Sequence, residues 1–454
     1  VKRLLIVFML LPFVADAHVG SPDVFFDGDA GPYHVFVSIR VPKVIPGVAS
    51  IEIRTSSSDV REVTVVPMRL TGPGSELPPT ADVAERTAAD PQFFTADLWL
   101  MEHGSLQVRV AIDGARGKGA VRIPVPAAAL ETRGMDRGLG TLLFALMVLL
   151  ALGAIAIATA AVRDAALPPG TEPDARSRRR ARIAMILASV FMLGLLALGN
   201  WWWSLEARTY ASFVQHPWTI TPTTSLCEVY VPIDPGTRTI PDHGHDMHLF
   251  LVRSPTLDQL AHLHPTRTGG EFTAALPSLP AGHYTLYADI VLPSGFPITG
   301  TGELDLTELH CDRLAGDDSS WAAGVPTDVH ITFDRPAQVR AGVPLALHFH
   351  ADAPLEPYMG MAGHAEIMKV DGSVFAHIHP SGSVAMPALE LAGGGMQMKG
   401  DMAMDMPGME MPAAALPPDV TFPFGFPSAG DYRVFVQVKA RGKVVTAAFD
   451  VIVE

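Results

Sequence analysis

Phe272-Thr-Ala-Ala-Leu-Pro-Ser-Leu-Pro-Ala-Gly282-His-Tyr284-Thr-Leu-Tyr-Ala-Asp-Ile290 reads as a strand, a glycine turn and a second strand of alternating residues. The same order returns in Phe94 to Ile112 around Gly104 and in Phe422 to Val438 around Gly430. In the last two copies the glycine is followed by x-Tyr. Further short alternating segments, such as His34 to Val41, Ser50 to Arg54 and Glu62 to Val66, are separated by Gly and Pro, and no amphipathic helix stands out. The pattern predicts a mainly β chain of three immunoglobulin-like β-sandwich modules, over residues 18–135, 208–315 and 325–454.

Between the first and second modules the sequence changes character. Gly138 to Val162 and Ile183 to Leu205 are free of charge and long enough to cross a bilayer as helices, which predicts a two-helix transmembrane hairpin. The intervening residues 163–182 hold Arg176, Arg178, Arg179, Arg180 and Arg182, so the positive-inside rule makes them a cytoplasmic loop. Trp201 to Trp203 then fall at the outer interface. Residues 1–17 carry Lys2 and Arg3, an apolar run and Ala15-Asp16-Ala17, the order of a secretory signal peptide. Both signals place the β modules on one exported side, as in a two-pass protein of the bacterial inner membrane with its domains in the periplasm. The net charge of −14 disfavours nucleic acid and suits cations.

Fourteen of the 17 histidines lie beyond the second apolar segment, and they repeat. His248 is followed by His262-Leu263-His264-Pro265, and His364 by His377-Ile378-His379-Pro380, with Arg253 matching Lys369 between. Alternate residues of a strand share a face, so each His-x-His pair presents two rings side by side, and an adjacent strand brings a third. Three neutral imidazoles suit copper or zinc. His248, His262 and His264 are therefore one expected site; His364, His377 and His379 are another. His243 and His245, just before His248, would add ligands or an access path. His348 and His350 form a further same-face pair. The alternative is that strand histidines only line a polar sheet face, the reading taken for His216, His283, His310 and His330.

After the second triplet, residues 381–418 wander without a packing period, as a long functional loop. Met396, Met398, Met402, Met404, Met406, Met409 and Met411 fall inside it among Gly, Pro, Asp and Lys. Thioethers are soft and uncharged, so this run suits Cu(I). Met359 and Met361, just before His364, would extend a mixed site. Cleavage after Ala17 would expose His18, whose amine and ring chelate copper with His34 or His103 closing a brace. The two cysteines, Cys227 and Cys311, bracket the first histidine repeat and read as a disulfide in an oxidising compartment.

The His-x-His-Pro strands followed by Pro-x-Gly-x-Tyr resemble the immunoglobulin-like domains called YtkA-like, over roughly residues 225–454. A mature amino-terminal histidine on a sandwich is similar to CopC-like copper carriers, at His18 alone. These resemblances imply periplasmic copper binding or delivery, to an acceptor or oxidase-assembly protein. His243-x-His245-Asp246-x-His248 is similar to the metallo-β-lactamase motif, but its Asp is one place early; His262-x-His264 with Glu271 resembles cupins, but the Glu is too distant. No nucleophile elbow, phosphate loop or acid pair is present, so no enzyme is expected. The expected function is a membrane-anchored copper-binding protein, for sequestration or delivery, with zinc an option at the histidines. The competing expectation is a non-catalytic envelope scaffold with structural histidines.

Overall fold

The computed structural model describes residues 23–165, 167–168, 170–311, 314, 316–393 and 415–454. Residues 1–17 with the expected signal peptide, His18, and all seven methionines from Met396 to Met411 lie outside the described residues.

The chain is mainly β, in three immunoglobulin-like sandwiches with two long helices between the first and second. In the first, a five-stranded sheet with Val24–Ala30, Tyr33–Arg40 and Gly47–Thr55 faces a four-stranded sheet with Val60–Arg69, Gly104–Gly114 and Gly117–Ala127. The second has a six-stranded sheet in the order Trp218–Thr219, Pro297–Leu306, Gly282–Val291, His248–Arg253, Gln259–Leu263, Ser319–Ala322, opposite a four-stranded one. The third pairs Phe375–Ile378, His364–Lys369, Gly430–Ala440 and Lys443–Val453 in one sheet, opposite a three-stranded sheet. Alternation fixes which side chains enter each core: Leu249, Leu251, Ala261, Leu263 and Tyr284 in the second, Ala365, Ile367, Ile378, Tyr432 and Val434 in the third. Each Gly-x-Tyr motif forms the same corner, with the Tyr284 hydroxyl donating to the Pro280 carbonyl and that of Tyr432 to the Ser428 carbonyl.

Helix α1, Arg137–Asp164, and helix α2, Ala175–Ala211, are long and apolar enough to cross a membrane, with peak mean hydropathies of 2.7 and 2.2. The expected cytoplasmic loop over 163–182 is shorter than the sequence suggested. Arg176 to Arg182 are helical because Asp174 caps α2, accepting from the Ser177 backbone N–H, and Arg is a good helix former.

Two features of the β modules depart from expectation. The residues between the second and third modules do not simply link them: Ser319–Ala322 pairs with Gln259–Leu263 as an edge strand. The expected loop over 381–418 also starts as structure, with helix α3, Met386–Leu391, burying Pro387, Ala388 and Leu389 behind a proline in its first turn. The expected disulfide is present, joining Cys227 to Cys311 within the second module.

The other face of the His248–Arg253 sheet packs against the other face of the His364–Lys369 sheet. Along one half of this contact Phe250, Val252, Leu257, Leu260 and Tyr287 meet Met368, Phe375 and Phe435, with the Tyr287 and Phe375 rings stacked at 4.0 Å. The first module joins from the side. Phe25 enters the core of the third module, 5.6 Å from Phe424, and the Val24–Ala30 strand holds the segment after His379-Pro380: Asp27 N donates to Ser381 O and Ser383 N to Phe25 O. Gly382 is required there, since a Cβ would lie 1.9 Å from the Phe25 carbonyl oxygen.

Candidate metal centre

The second half of the same sheet contact is built of imidazoles. His248 stands opposite Asp289 on its strand pair, and His364 opposite Gln437 on the equivalent pair, so all four aim into the space between the sheets. His262, His264, His377 and His379 join them from the neighbouring strands, and His243 and His245 from the turn before His248. Eight histidines thus meet, five from the second module and three from the third. They form two groups whose ligand nitrogens lie within 4.8 Å of one another: His248, His262 and His264, and His243, His364 and His379.

In the first group each ring has a partner on its outer side. Gln437, which contacts the Ser319 and Thr446 hydroxyls, faces His262 Nδ1 at 2.7 Å. His264 Nδ1 donates to Asp318 Oδ1 at 2.9 Å, and His248 Nε2 to the Asp242 carbonyl at 3.2 Å. The inner nitrogens His248 Nδ1 and His262 Nε2 are 3.1 Å apart, a contact that one proton or one metal ion can bridge. Nitrogens bound to one tetrahedral ion at about 2.0–2.1 Å are separated by about 3.4 Å, so His248 and His262 already have ligand spacing. Carboxylate, amide and carbonyl partners behind metal-ligating rings are the usual means of orienting them.

The second group crosses between modules. His243 occupies a tight turn, Asp242 to His245, where it takes a left-handed φ of 51° and Gly244 one of 83°. Its ring lies 5.2 Å from that of His364 and 4.9 Å from that of His379. His379 Nδ1 faces the Val384 carbonyl at 3.4 Å, while its Nε2, both nitrogens of His364 and Nε2 of His243 are buried without a hydrogen-bond partner. A buried polar atom without a hydrogen-bond partner costs roughly 1–3 kcal/mol, and these nitrogens, with Asp242 Oδ1 3.3 Å from His243 Nε2, could hold a metal ion.

His377, expected as the third member of this set, is placed differently. It sits between the groups, 5.2 Å from His248 and 4.8 Å from His379 by ring centroid, with Nδ1 3.5 Å from Asp289 Oδ2. Burial lowers its pKa, but Asp289, Glu366 and Asp242 outweigh that and raise it. Burial dominates elsewhere. It holds His248, His262, His364 and His379 well below the ordinary imidazole value, with the His377 charge adding to it, and pulls His243 down to about 3. The same burial pushes Glu366 up to about 8 and Asp242 to about 7, each moderated by His377.

His245 stacks on His264 at 4.0 Å and lines, with His248, His377, Asp242 and Asp289, a cavity of about 130 Å³ that Asp23 and Pro126 of the first module bound on its other side. Asp246 also lines it, so four carboxyl groups bound the cavity. His348 and His350 do not take part: they lie exposed on the third module's other sheet, bonded to Thr421 and Asp419. His34, proposed to close a brace with His18, is held between Asp27 and Asp29, which raise its pKa to about 9. Asp289, Glu366, Asp318 and Gln437 were not anticipated. A signal existed for two of them, since Asp289 and Gln437 both fall seven residues after the glycine of Gly-x-Tyr.

A family model described as a domain of unknown function, DUF8832, matches residues 324–454, the third module. No curated protein matches the chain. Among solved structures, a tetra-tandem repeat from the extending region of a large adhesion protein is similar over 92% of this chain and 73% of its own, at 9% identity and a TM-score of 0.16. The ICAM-5 D1–D4 ectodomain fragment is similar over 92% and 77%, at 10% identity and a TM-score of 0.16. Latent PorU from Porphyromonas gingivalis is similar over 95% of this chain and 34% of its own, at 10% identity and a TM-score of 0.16.

Proposed function

We propose that the chain is a membrane-anchored copper-binding protein of the bacterial envelope, its two long helices crossing the inner membrane and its three β modules lying in the periplasm. Copper is held between the second and third modules, by His248, His262 and His264 at one centre and by His243, His364 and His379 at the other. The observation that carries this reading is the convergence of two sets of three buried or half-buried imidazoles, each with its ligand nitrogens within 4.8 Å of one another. Buried neutral rings are what a divalent or monovalent transition metal needs and what a proton cannot easily occupy. The methionine run from Met396 to Met411 favours Cu(I) over zinc and suits capture of the ion or its transfer to an acceptor protein.

The test is metal retention by the full chain in detergent. Copper should survive desalting and be lost in part on His248→Ala with His264→Ala, and in full when His364→Ala and His379→Ala are added. A wild-type chain that keeps neither copper nor zinc would overturn the reading and leave the histidines structural.

A further inference from the structure

The turn carrying His243 has a twin. Pro241-Asp242-His243-Gly244-His245 precedes His248 at the same spacing by which Pro357-Tyr358-Met359-Gly360-Met361 precedes His364. The backbones match: φ is 51° and 83° at His243 and Gly244, and 50° and 80° at Met359 and Gly360. Both turns close with a reciprocal pair of backbone hydrogen bonds, Asp242 with His245 at 2.8 and 3.0 Å and Tyr358 with Met361 at 2.8 and 3.1 Å.

The contacts across the modules are reciprocal as well. Gln437 of the third module holds His262 of the second, and Asp289, which takes the place of Gln437 in the second module, lies against His377, the counterpart of His262. The two modules therefore face one another about an internal two-fold. In the histidine turn the second residue, His243, crosses to His364 and His379, while the fourth, His245, stacks on His264 of its own module. The two-fold carries the same roles to the methionine turn. By that symmetry Met359 corresponds to the crossing residue His243, whose image partners are His248 and His264, and Met361, 6% exposed, corresponds to His245, whose image partner is His379.

We infer that each histidine group takes a thioether, Met359 at the first and Met361 at the second, so that both are three-imidazole, one-thioether centres for Cu(I). The inference rests on the copper reading and adds what selects the ion: neutral sulfur strengthens binding of Cu(I) and does little for Zn(II). The turn that supplies the sulfur is separate in sequence from the methionine run, so the two can be changed independently.

The experiment uses the full chain with its seven methionines from Met396 to Met411 changed to Ser, loaded with Cu(I) and measured by X-ray absorption. Sulfur scattering should accompany nitrogen scattering, should weaken in Met359→Leu and should vanish in Met359→Leu with Met361→Leu. Zn(II) affinity should be the same in all three chains, which also shows that the leucine variants are folded. Copper bound with nitrogen scattering alone, or sulfur scattering that survives the double change, overturns the inference while leaving the copper reading intact. Cu(I) bound neither by this chain nor by the chain with its methionine run intact sinks both, and that outcome is distinguishable from the other two.

Discussion

The two histidine groups arise from equivalent strand positions in two repeated modules, yet they are prepared for a ligand in different ways. All three rings of the first come from the second module, and each is held from behind by Gln437, Asp318 or the Asp242 carbonyl. The second is assembled from both modules, and His364 at its heart has neither nitrogen engaged. The difference teaches that a repeated motif sets where rings stand, while the non-repeated residues around it decide how firmly. Orientation by outer partners favours a stiff site, and open rings favour one that forms on binding.

The largest expected effect separates the groups outright. His248→Ala with His264→Ala should remove the first group's metal and leave the second's, and His364→Ala with His379→Ala should do the reverse, read as metal per chain after desalting. If either pair abolished all binding, the groups would be one coupled centre rather than two. A second change attacks the apolar half of the contact. Phe375, fully buried against Phe250 and Tyr287, should cost about 3–5 kcal/mol of stability as Phe375→Ala, measured by denaturant unfolding. Because His243 must reach across that contact, this variant should lose the second group's metal before the first's.

Much of this arrangement was legible in the chain. Strand alternation and the Gly-x-Tyr corners gave the sandwiches, and the matched spacing of His248 to His262 and His364 to His377 gave the paired strands. What the spacing could not carry was which sheet faces meet. A strand's period says that His377 and His379 share a side; it says nothing of Asp289 arriving from another module to hold His377, or of His243 taking its expected place. Glu366 illustrates the same limit. In sequence it is an acidic residue two positions after His364, and only the sheet contact reveals it as fully buried, with no hydrogen-bond partner and its Oε1 3.9 Å from His262 Nδ1. The edge strand Ser319–Ala322 was hidden for a different reason: four residues are too few for a period to declare itself.

A smaller effect should distinguish the stiff group from the open one. Removing an outer partner without touching a ligand typically costs 10–100-fold in metal affinity. Gln437→Ala and Asp318→Asn should each weaken the first group by about that factor, measured by chelator competition, and leave the second unchanged. A loss shared equally by both groups would mean that the outer partners stabilise the sheet contact rather than the tautomers.

The smallest effect is a pH dependence of the metal-free chain, and its sign follows from the two kinds of buried group. His243, His245, His248, His262, His364 and His379 have folded-state pKa values below the ordinary 6.5, so below that pH the unfolded chain binds protons that the native chain refuses. Their stabilisation is present above about pH 6.5 and is lost on acidification. Glu366, Asp242 and His377 act in the opposite direction: raised to about 8, to about 7 and above the ordinary imidazole value, they keep protons in the native chain, a contribution fully present below their ordinary values and lost as pH rises through the raised ones. Six rings outnumber these three groups below pH 6.5, so the melting temperature should peak near neutrality and fall more steeply on the acid side. Glu366→Gln should flatten the alkaline limb and steepen the acid limb above the ordinary carboxyl pKa. Replacing His364 and His379 by Phe should flatten the acid limb as much as replacing His248 and His262 does, if burial rather than the outer partners holds the rings neutral; a flattening confined to the first pair would make the hydrogen-bonded tautomers the cause.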